Sequence, residues 1–349
     1  MTRRKLLLIS GAWPLARRAL AASEPRSVSF PLGGITGSIT PVDAFFVREH
    51  FAEPEISLES WRLRVEGRVA RRLELSLPDL IELPVRRIEA VLECAGNGAG
   101  GAAVSNGIWD GVRLSHILRE AGAAPEATSV LLEGADSGSL MQDSPKLPYC
   151  QVIPIDKCTR PESLVAFKMN DRFLPPANGF PARALFPGWY AMDSVKWLAR
   201  VVVLGPEDEP SDFLTSGMDK MYTRIRDRER SRLTALAVKS AIAWPPDQSR
   251  LPAARHTIRG FAWTGDGLVR SVDVSTDGGR SWAPAQLDQP PKQYTWVRWT
   301  CSWSANPGDY VLISRATDDT GRVQPPTRDP VRKDGYELNH CASVRCEVR

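Results

Sequence analysis

The segment Leu92-Glu93-Cys94-Ala95-Gly96-Asn97-Gly98 carries the sharpest chemistry in this sequence. It is a β-rich run that ends in a cysteine and then breaks into a glycine-flanked turn, leaving the thiol at the strand end. Gly96 and Gly98 let backbone approach a neighbouring group closely. A lone cysteine after an apolar strand is, by itself, more often a core thiol than a ligand. Arg48 and Lys196 read alone as surface charges, His50 as an ordinary polar residue and Tyr222 as a half-buried core aromatic.

The elements that must position these groups are mostly strands. Trp61-Arg62-Leu63-Arg64-Val65 alternates, Ile88 to Leu92 is β-rich, and Ser129 to Leu132 and Trp197 to Leu204 read as buried strands. Leu114 to Ala121 predicts a short amphipathic helix, which makes the first half a mixed α+β domain. Its loops are long and rich in Pro and Gly, above all Leu174-Pro175-Pro176-Ala177-Asn178-Gly179-Phe180-Pro181. Loops of that kind inside a compact domain usually hold a ligand. From about residue 236 short alternating strands take over: Thr257 to Trp263, Val269 to Val274, Trp296 to Trp303 and Tyr310 to Ala316. Thr276-Asp277-Gly278-Gly279 is read as a tight hairpin turn. This pattern predicts an immunoglobulin-like β-sandwich. The charged segment Arg224 to Arg232 is the expected linker, with its charges on a solvated surface.

The 349 residues suit two domains, and 25% charged with 42% hydrophobic residues excludes a disordered or collagen-like chain. Lysine and arginine total 45 against 41 acidic residues, a net charge of +4 with a pI near 8.8. That excess lies in the first 22 residues. Met1-Thr2-Arg3-Arg4-Lys5 is a basic start, Leu6 to Ala16 an apolar run, and Ala19-Leu20-Ala21 a small-x-small cleavage site, the order of a secretory signal. The paired arginines match a twin-arginine signal, which addresses proteins that cross a membrane folded. Residues 1–22 hold five basic residues and no acid, so the mature chain has 40 basic against 41 acidic residues, a net of −1. A nucleic-acid partner is therefore not expected, and no other apolar stretch approaches the length of a membrane span. The expected location is the periplasm. Six cysteines are too few for a disulfide scaffold. Cys150 and Cys158 are expected as free or structural thiols. Cys341-x4-Cys346 lacks the histidine of a Cys-x-x-Cys-His site, and four histidines leave little for a haem or zinc centre, so no haem of the chain's own is expected. No Gly-x-Gly-x-x-Gly follows a strand, which disfavours a dinucleotide-binding fold.

Several blocks together resemble the sulfite oxidase family of molybdopterin enzymes. They are Phe45-Phe46-Val47-Arg48-Glu49-His50, Glu93-Cys94-Ala95-Gly96-Asn97, Trp109-Asp110-Gly111-Val112-Arg113-Leu114, Gly179-Phe180-Pro181-Ala182-Arg183, Pro187-Gly188-Trp189-Tyr190 and Ser194-Val195-Lys196-Trp197-Leu198. The likeness runs on, in the family's order, through Gly260-Phe261-Ala262-Trp263, Asp273 to Gly279 and Arg315-Ala316-Thr317-Asp318 of the family's dimerisation domain. It implies a molybdopterin-binding domain over residues 40–235, an immunoglobulin-like dimerisation domain over 236–349, and a homodimer. It further implies that Cys94 is the protein ligand to molybdenum, completing a sulfur-rich shell with the pterin dithiolene. Arg48 and His50 match residues lining the substrate and cofactor side, and a guanidinium suits a tetrahedral oxyanion because it forks two hydrogen bonds. Arg183 and Lys196 match positions near the pterin phosphate, and Asn178 stands where many members have histidine. Tyr222 is the counterpart of the tyrosine that donates a hydrogen bond beside the metal.

The activity implied is oxygen-atom transfer to a small sulfur oxyanion, most simply sulfite to sulfate, with electrons passed to an external cytochrome c. A sulfane dehydrogenase subunit or a sulfoxide reductase is the nearest alternative. A binding or assembly protein that has lost its cofactor is the alternative of another class. Two departures from the family bear on the substrate. Gly98-Ala99-Gly100-Gly101 stands where many sulfite-oxidising members have two arginines, and Glu49 replaces a frequent asparagine and is expected to put negative charge beside Arg48.

Overall fold

The structure, a computed structural model, describes residues 24–139, 145–208, 223–226, 229–332 and 335–349. Tyr222 and the signal-like residues 1–22 lie outside the described residues.

The first half is built on two five-stranded sheets. One runs in the order Arg172–Phe173, Leu164–Met169, Val104–Arg113, Val85–Glu93, with Arg183–Leu185 also paired to Leu164–Met169. The other runs Leu73–Leu75, Leu63–Gly67, Leu198–Leu204, Ser129–Ser139, Lys146–Pro154. Leu63–Gly67 pairs with Leu198–Leu204 in parallel, which joins sequence positions far apart in one sheet. The helix Leu114–Ala121 buries Leu114, Ile117, Leu118 and Ala121, the 3.6-residue stripe read from the sequence. It stops at Gly122, whose φ of 66° is left-handed and whose N–H bonds the Leu118 and Arg119 carbonyls.

The second half is a sandwich of two antiparallel-rich sheets. Lys239–Trp244, Ala254–Trp263, Val297–Ala305 and Gln286–Leu287 form one face; Ser249–Leu251, Ser343–Val348, Gly308–Asp318, Val269–Ser275 and Ala283–Pro284 form the other. Alternation decides what is buried: in Val297–Ala305 the residues Val297, Trp299, Cys301, Trp303 and Ala305 all face inward.

Two local expectations change. The predicted tight turn at Thr276 to Gly279 is part of a wider connection, because the strand ending at Ser275 resumes pairing only at Ala283–Pro284. The Asp277 carboxylate organises it by accepting the Arg280 and Ser281 backbone N–H groups at 2.9 Å each. The predicted linker Arg224 to Arg232 is an antiparallel hairpin, Thr223–Arg226 against Glu229–Arg232. Arg232 docks it on the first half by pairing with the buried Asp193 and donating to Gln151 Oε1 at 2.7 Å. All six cysteines are free, and Cys150 and Cys158 are buried thiols.

A shared apolar cluster joins the halves. Val91, Ala95, Val104 and Tyr190 from the first half pack with Leu236, Ala241, Phe261, Trp263 and Trp296 from the second. It lies directly under the turn that carries Cys94.

Candidate active site

The strand Val85–Glu93 ends in four buried residues, Ala90 to Glu93, and then leaves its ladder. The turn that follows is stapled by its own backbone: Cys94 N–H bonds Ala103 O at 3.0 Å and Asn97 N–H bonds Cys94 O at 2.9 Å. Asn97 closes it from inside, donating to Glu93 Oε1 at 2.9 Å and accepting from Ala103 N–H at 3.1 Å. Glycine is needed at 101, where a Cβ would stand 2.5 Å from Asn97 Oδ1. Because side chains alternate along a strand, Glu93 turns toward the β-sandwich and Cys94 toward a cavity of about 710 Å³. Burial pushes the Cys94 thiol above its ordinary pKa. A hydrogen bond from the Gly96 backbone and the Arg48 charge oppose that rise. A thiol in that setting becomes a thiolate when a cation or metal supplies the missing positive charge.

Arg48, His50, Asn178, Arg183 and Lys196 all line the same cavity as Cys94. Of the residues expected at the site only Tyr222 is not placed, since it lies outside the described residues. Arg48 ends the short strand Val47–Arg48, which pairs with Ser27–Val28, and its side chain is exposed. His50 packs edge-on against Phe51 with ring centroids 4.6 Å apart. Burial and the Arg48 charge lower its pKa, which favours the neutral imidazole.

Arg183 is fully buried, and its guanidinium donates to the backbone carbonyls of Asn178 at 3.0 Å and Ser194 at 2.8 Å. Burial lowers its pKa to about 9. Lys196 donates to Ala177 O at 2.9 Å and sits 4.0 Å from the centroid of the Trp197 ring. Burial pulls its pKa to about 7, against the Glu49 carboxylate 3.7 Å away. Gly179 lets the 174–181 loop pass between these cations: its φ is 106°, and a Cβ there would meet both Arg183 Cβ and Lys196 Cβ at 3.1 Å.

The Glu49 carboxylate expected beside Arg48 is engaged by two other cations, Arg26 and Lys196. The carboxylate is fully buried, lines the same cavity as Arg48 and is held by Arg26. It accepts from Arg26 Nε at 3.1 Å, Arg26 Nη2 at 2.9 Å and the Arg26 backbone N–H at 2.8 Å. Glu49 is thereby neutralised by Arg26 and assists Lys196. Among the described residues neither Arg48 nor Arg183 has a carboxylate at salt-bridge distance, although Glu24, Glu49 and Asp136 line the same cavity.

The donor set fits a molybdopterin. Two cations, the buried Arg183 and the partly buried Lys196, suit an anionic group. Asp136 also lines the cavity, and its buried Oδ1 has no hydrogen-bond partner, which suits a ring carrying N–H donors. Burial lifts the Asp136 pKa to about 7. Among the described residues no cluster of three or more His, Cys, Asp or Glu side chains could hold a metal ion. Among the described residues Cys94 is the one thiol that lines the cavity, and it would hold a metal whose other ligands a cofactor supplies.

Residues 50–211 match the oxidoreductase molybdopterin binding domain, and residues 230–333 match the Mo-co oxidoreductase dimerisation domain. The chain is 32% identical over 324 residues to the sulfite oxidase of Gallus gallus, an alignment covering 84% of this chain and 69% of that protein. This chain belongs to the sulfite oxidase family of molybdopterin oxidoreductases. It is also 32% identical over 342 residues to the mitochondrial sulfite oxidase of Drosophila melanogaster, of whose length it spans 58%. Among solved structures, the sulfane dehydrogenase SoxCD from Paracoccus pantotrophus superposes with a TM-score of 0.80 at 26% identity, covering 97% of this chain and 92% of that one. The expected fold, a family-type molybdopterin-binding domain followed by an immunoglobulin-like sandwich, is the one observed.

Sequence reasoning missed four residues at or behind the site: Asp136 and Tyr336 in the cavity wall, Lys239 on the Cys94 turn and Arg26 on Glu49. Tyr336 lines the cavity and packs over Gly96, and the next residue donates its backbone N–H to Ala95 O at 2.7 Å. One of the four carried a usable signal. Lys239 is a charged residue in the otherwise small and apolar run Ala237-Val238-Lys239-Ser240-Ala241, where its burial requires a partner.

Proposed function

We propose that the chain is a molybdenum-dependent oxidoreductase that oxidises a small sulfur oxyanion, sulfite to sulfate in the simplest case. One observation carries the reading: Cys94 and Arg48, which has no carboxylate at salt-bridge distance among the described residues, face one cavity whose wall also holds the buried Arg183 and the partly buried Lys196. Sulfite and water give sulfate, two protons and two electrons, and the electrons go to an external cytochrome c. When bound, the cofactor supplies the two-electron chemistry and the oxygen transfer. The chain's own residues bind and orient. Cys94 ligates the metal, Arg183 and Lys196 hold the anionic part of the cofactor, and Asp136 and the Asn178 region flank it. Arg48 grips the substrate oxyanion through forked, charge-assisted hydrogen bonds. The neutral His50 beside it can donate or accept one hydrogen bond without adding charge.

A second reading is oxidation of sulfane sulfur carried by a partner protein. The similarity to SoxCD over nearly the whole of both chains supports it, and so does Gly98 to Gly101, which leaves the turn without further arginines. The dimerisation-domain match supports a homodimer. Export through a twin-arginine signal in residues 1–22 belongs to the same proposal, because a cofactor inserted in the cytoplasm must cross with a folded chain.

The test is metal analysis of the purified protein followed by turnover with sulfite, thiosulfate and a sulfoxide against cytochrome c and a viologen dye. Near-stoichiometric molybdenum with sulfite-dependent cytochrome c reduction supports the first reading. Turnover only with sulfane sulfur on a carrier supports the second. Protein free of molybdenum after expression in a cofactor-replete host defeats both.

A further inference from the structure

The Cys94 turn is gripped from the β-sandwich side by one lysine. Lys239 opens the strand Lys239–Trp244, directly opposite Trp263 on Ala254–Trp263, so the two side chains are delivered as a cross-strand pair. Both reach Glu93. Lys239 Nζ donates to Glu93 Oε1 at 2.9 Å, and Trp263 Nε1 donates to Glu93 Oε2 at 2.7 Å. The same ammonium also donates to Gly98 O at 2.8 Å and approaches Asn97 O at 3.5 Å. An ammonium has three donors and no acceptor. Here the three are directed at the residue before Cys94 and at the two residues that close its turn.

Lys239 and Glu93 are each 2% exposed. Fixing the fold alone does not call for this arrangement, because a buried ion pair is often no better for stability than apolar side chains of the same volume. What such a pair does well is hold one geometry. The Glu93 carboxylate accepts from Asn97 and Lys239 on one oxygen and from Trp263 on the other. The carbonyls of Asn97 and Gly98 are taken from outside the turn, while Asn97 holds the inside. Since Glu93 and Cys94 are consecutive and point to opposite faces, fixing Glu93 on the sandwich face fixes the direction in which the Cys94 Cα–Cβ bond enters the cavity.

We infer that Lys239 is a positioning residue for the Cys94 thiolate, through which the second domain sets the geometry of the metal ligand. The inference rests on the assignment of Cys94 as that ligand. It predicts that loss of Lys239 alters the metal centre even where the fold survives. Partners behind a metal ligand typically matter by about 10–100-fold in metal affinity or activity.

The experiment compares the full-length holoprotein with Lys239→Arg, Lys239→Met and the double variant Glu93→Gln with Lys239→Met, which leaves no unpaired charge buried. Thermal melting, molybdenum per chain, the Mo(V) EPR signal per molybdenum, and kcat with KM are measured on each. The expected result is a double variant that melts near the wild type but has less molybdenum per chain, an altered EPR signal, and kcat reduced about 10–100-fold with KM within about twofold. Lys239→Arg restores part of each. A folded double variant with wild-type metal content, EPR signal and kcat overturns the inference. So does a double variant that fails to fold while Lys239→Arg matches the wild type in every readout, since the pair then serves the fold alone. Failure of the underlying assignment looks different, because the wild type and Cys94→Ser would then give the same molybdenum content and EPR signal.

Discussion

Replacing Lys196 by methionine stabilises the cofactor-free chain and weakens its hold on the cofactor. Burial brings the ammonium from its ordinary 10.5 down to about 7, with Glu49 pulling the other way and Arg183 adding to the fall. An unfolded lysine keeps its proton to about pH 10.5 and the folded one only to about pH 7, so between those values the unfolded chain holds more protons and stability rises with pH. A half-protonated folded lysine against a fully protonated unfolded one destabilises the chain by about 4 kcal/mol at pH 7, falling to about 2 kcal/mol at pH 9. Methionine removes that burden. It forfeits the hydrogen bond to Ala177 O and the contact with the Trp197 ring, together roughly 2 kcal/mol. The net gain is roughly 2 kcal/mol at pH 7 and close to zero by pH 9. The cofactor loses one charge-assisted hydrogen bond of about 1.5–3 kcal/mol, roughly 10–150-fold in retention. Urea unfolding of wild-type and Lys196→Met chains, both made in a host that cannot synthesise the cofactor, at pH 7 and 9 measures the first effect. Molybdenum remaining after dialysis of the loaded proteins measures the second. A cofactor-free variant less stable than wild type at pH 7, or a loaded one that retains molybdenum equally well, refutes the reasoning.

Cys94→Ser removes the one thiol that lines the cavity among the described residues, so molybdenum content falls to background while the circular dichroism spectrum is unchanged. Arg48→Gln keeps hydrogen-bond donors but loses charge and fork, and kcat/KM for sulfite drops about 10–150-fold, mostly through KM. Arg232→Met strands the buried Asp193 carboxylate, and removing one partner of a buried pair costs about 3–5 kcal/mol. Burial already raises the Asp193 pKa to about 6, so the folded chain keeps that proton longer than the unfolded one and stability falls as pH rises from about 4 to about 6. In Arg232→Met the folded pKa climbs further, and the decline in melting temperature continues above pH 6.

What could be read from the sequence is what local chemistry determines. The helix Leu114–Ala121 follows from its apolar stripe and the glycine behind it. The sandwich strands follow from alternation, and Cys94, Arg48, His50, Arg183 and Lys196 follow from short blocks whose order resembles one family. The rest depends on pairings across long stretches of chain that no local pattern encodes. Lys239 reaches Glu93 only because the second domain folds back over the first. The hairpin at 223–232 was hidden because a dense run of arginines masks strand alternation, and the anchor that orders it, Asp193, lies 39 residues earlier.

Glu49 shows how such a long-range pairing changes a functional conclusion. Adjacency in sequence puts its carboxylate next to Arg48, and on that basis the substrate arginine would be half-neutralised. In an extended segment, however, consecutive side chains point to opposite sides. Glu49 enters the interior, where the side chain and backbone N–H of Arg26 neutralise it and Lys196 stands 3.7 Å away. Arg26 and Lys196 therefore take up the Glu49 charge, and among the described residues Arg48 itself has no carboxylate at salt-bridge distance. On the proposed function, the missing arginine after Asn97 is the larger of the two departures, since Arg26, remote in sequence and absent from every motif, already pairs with Glu49.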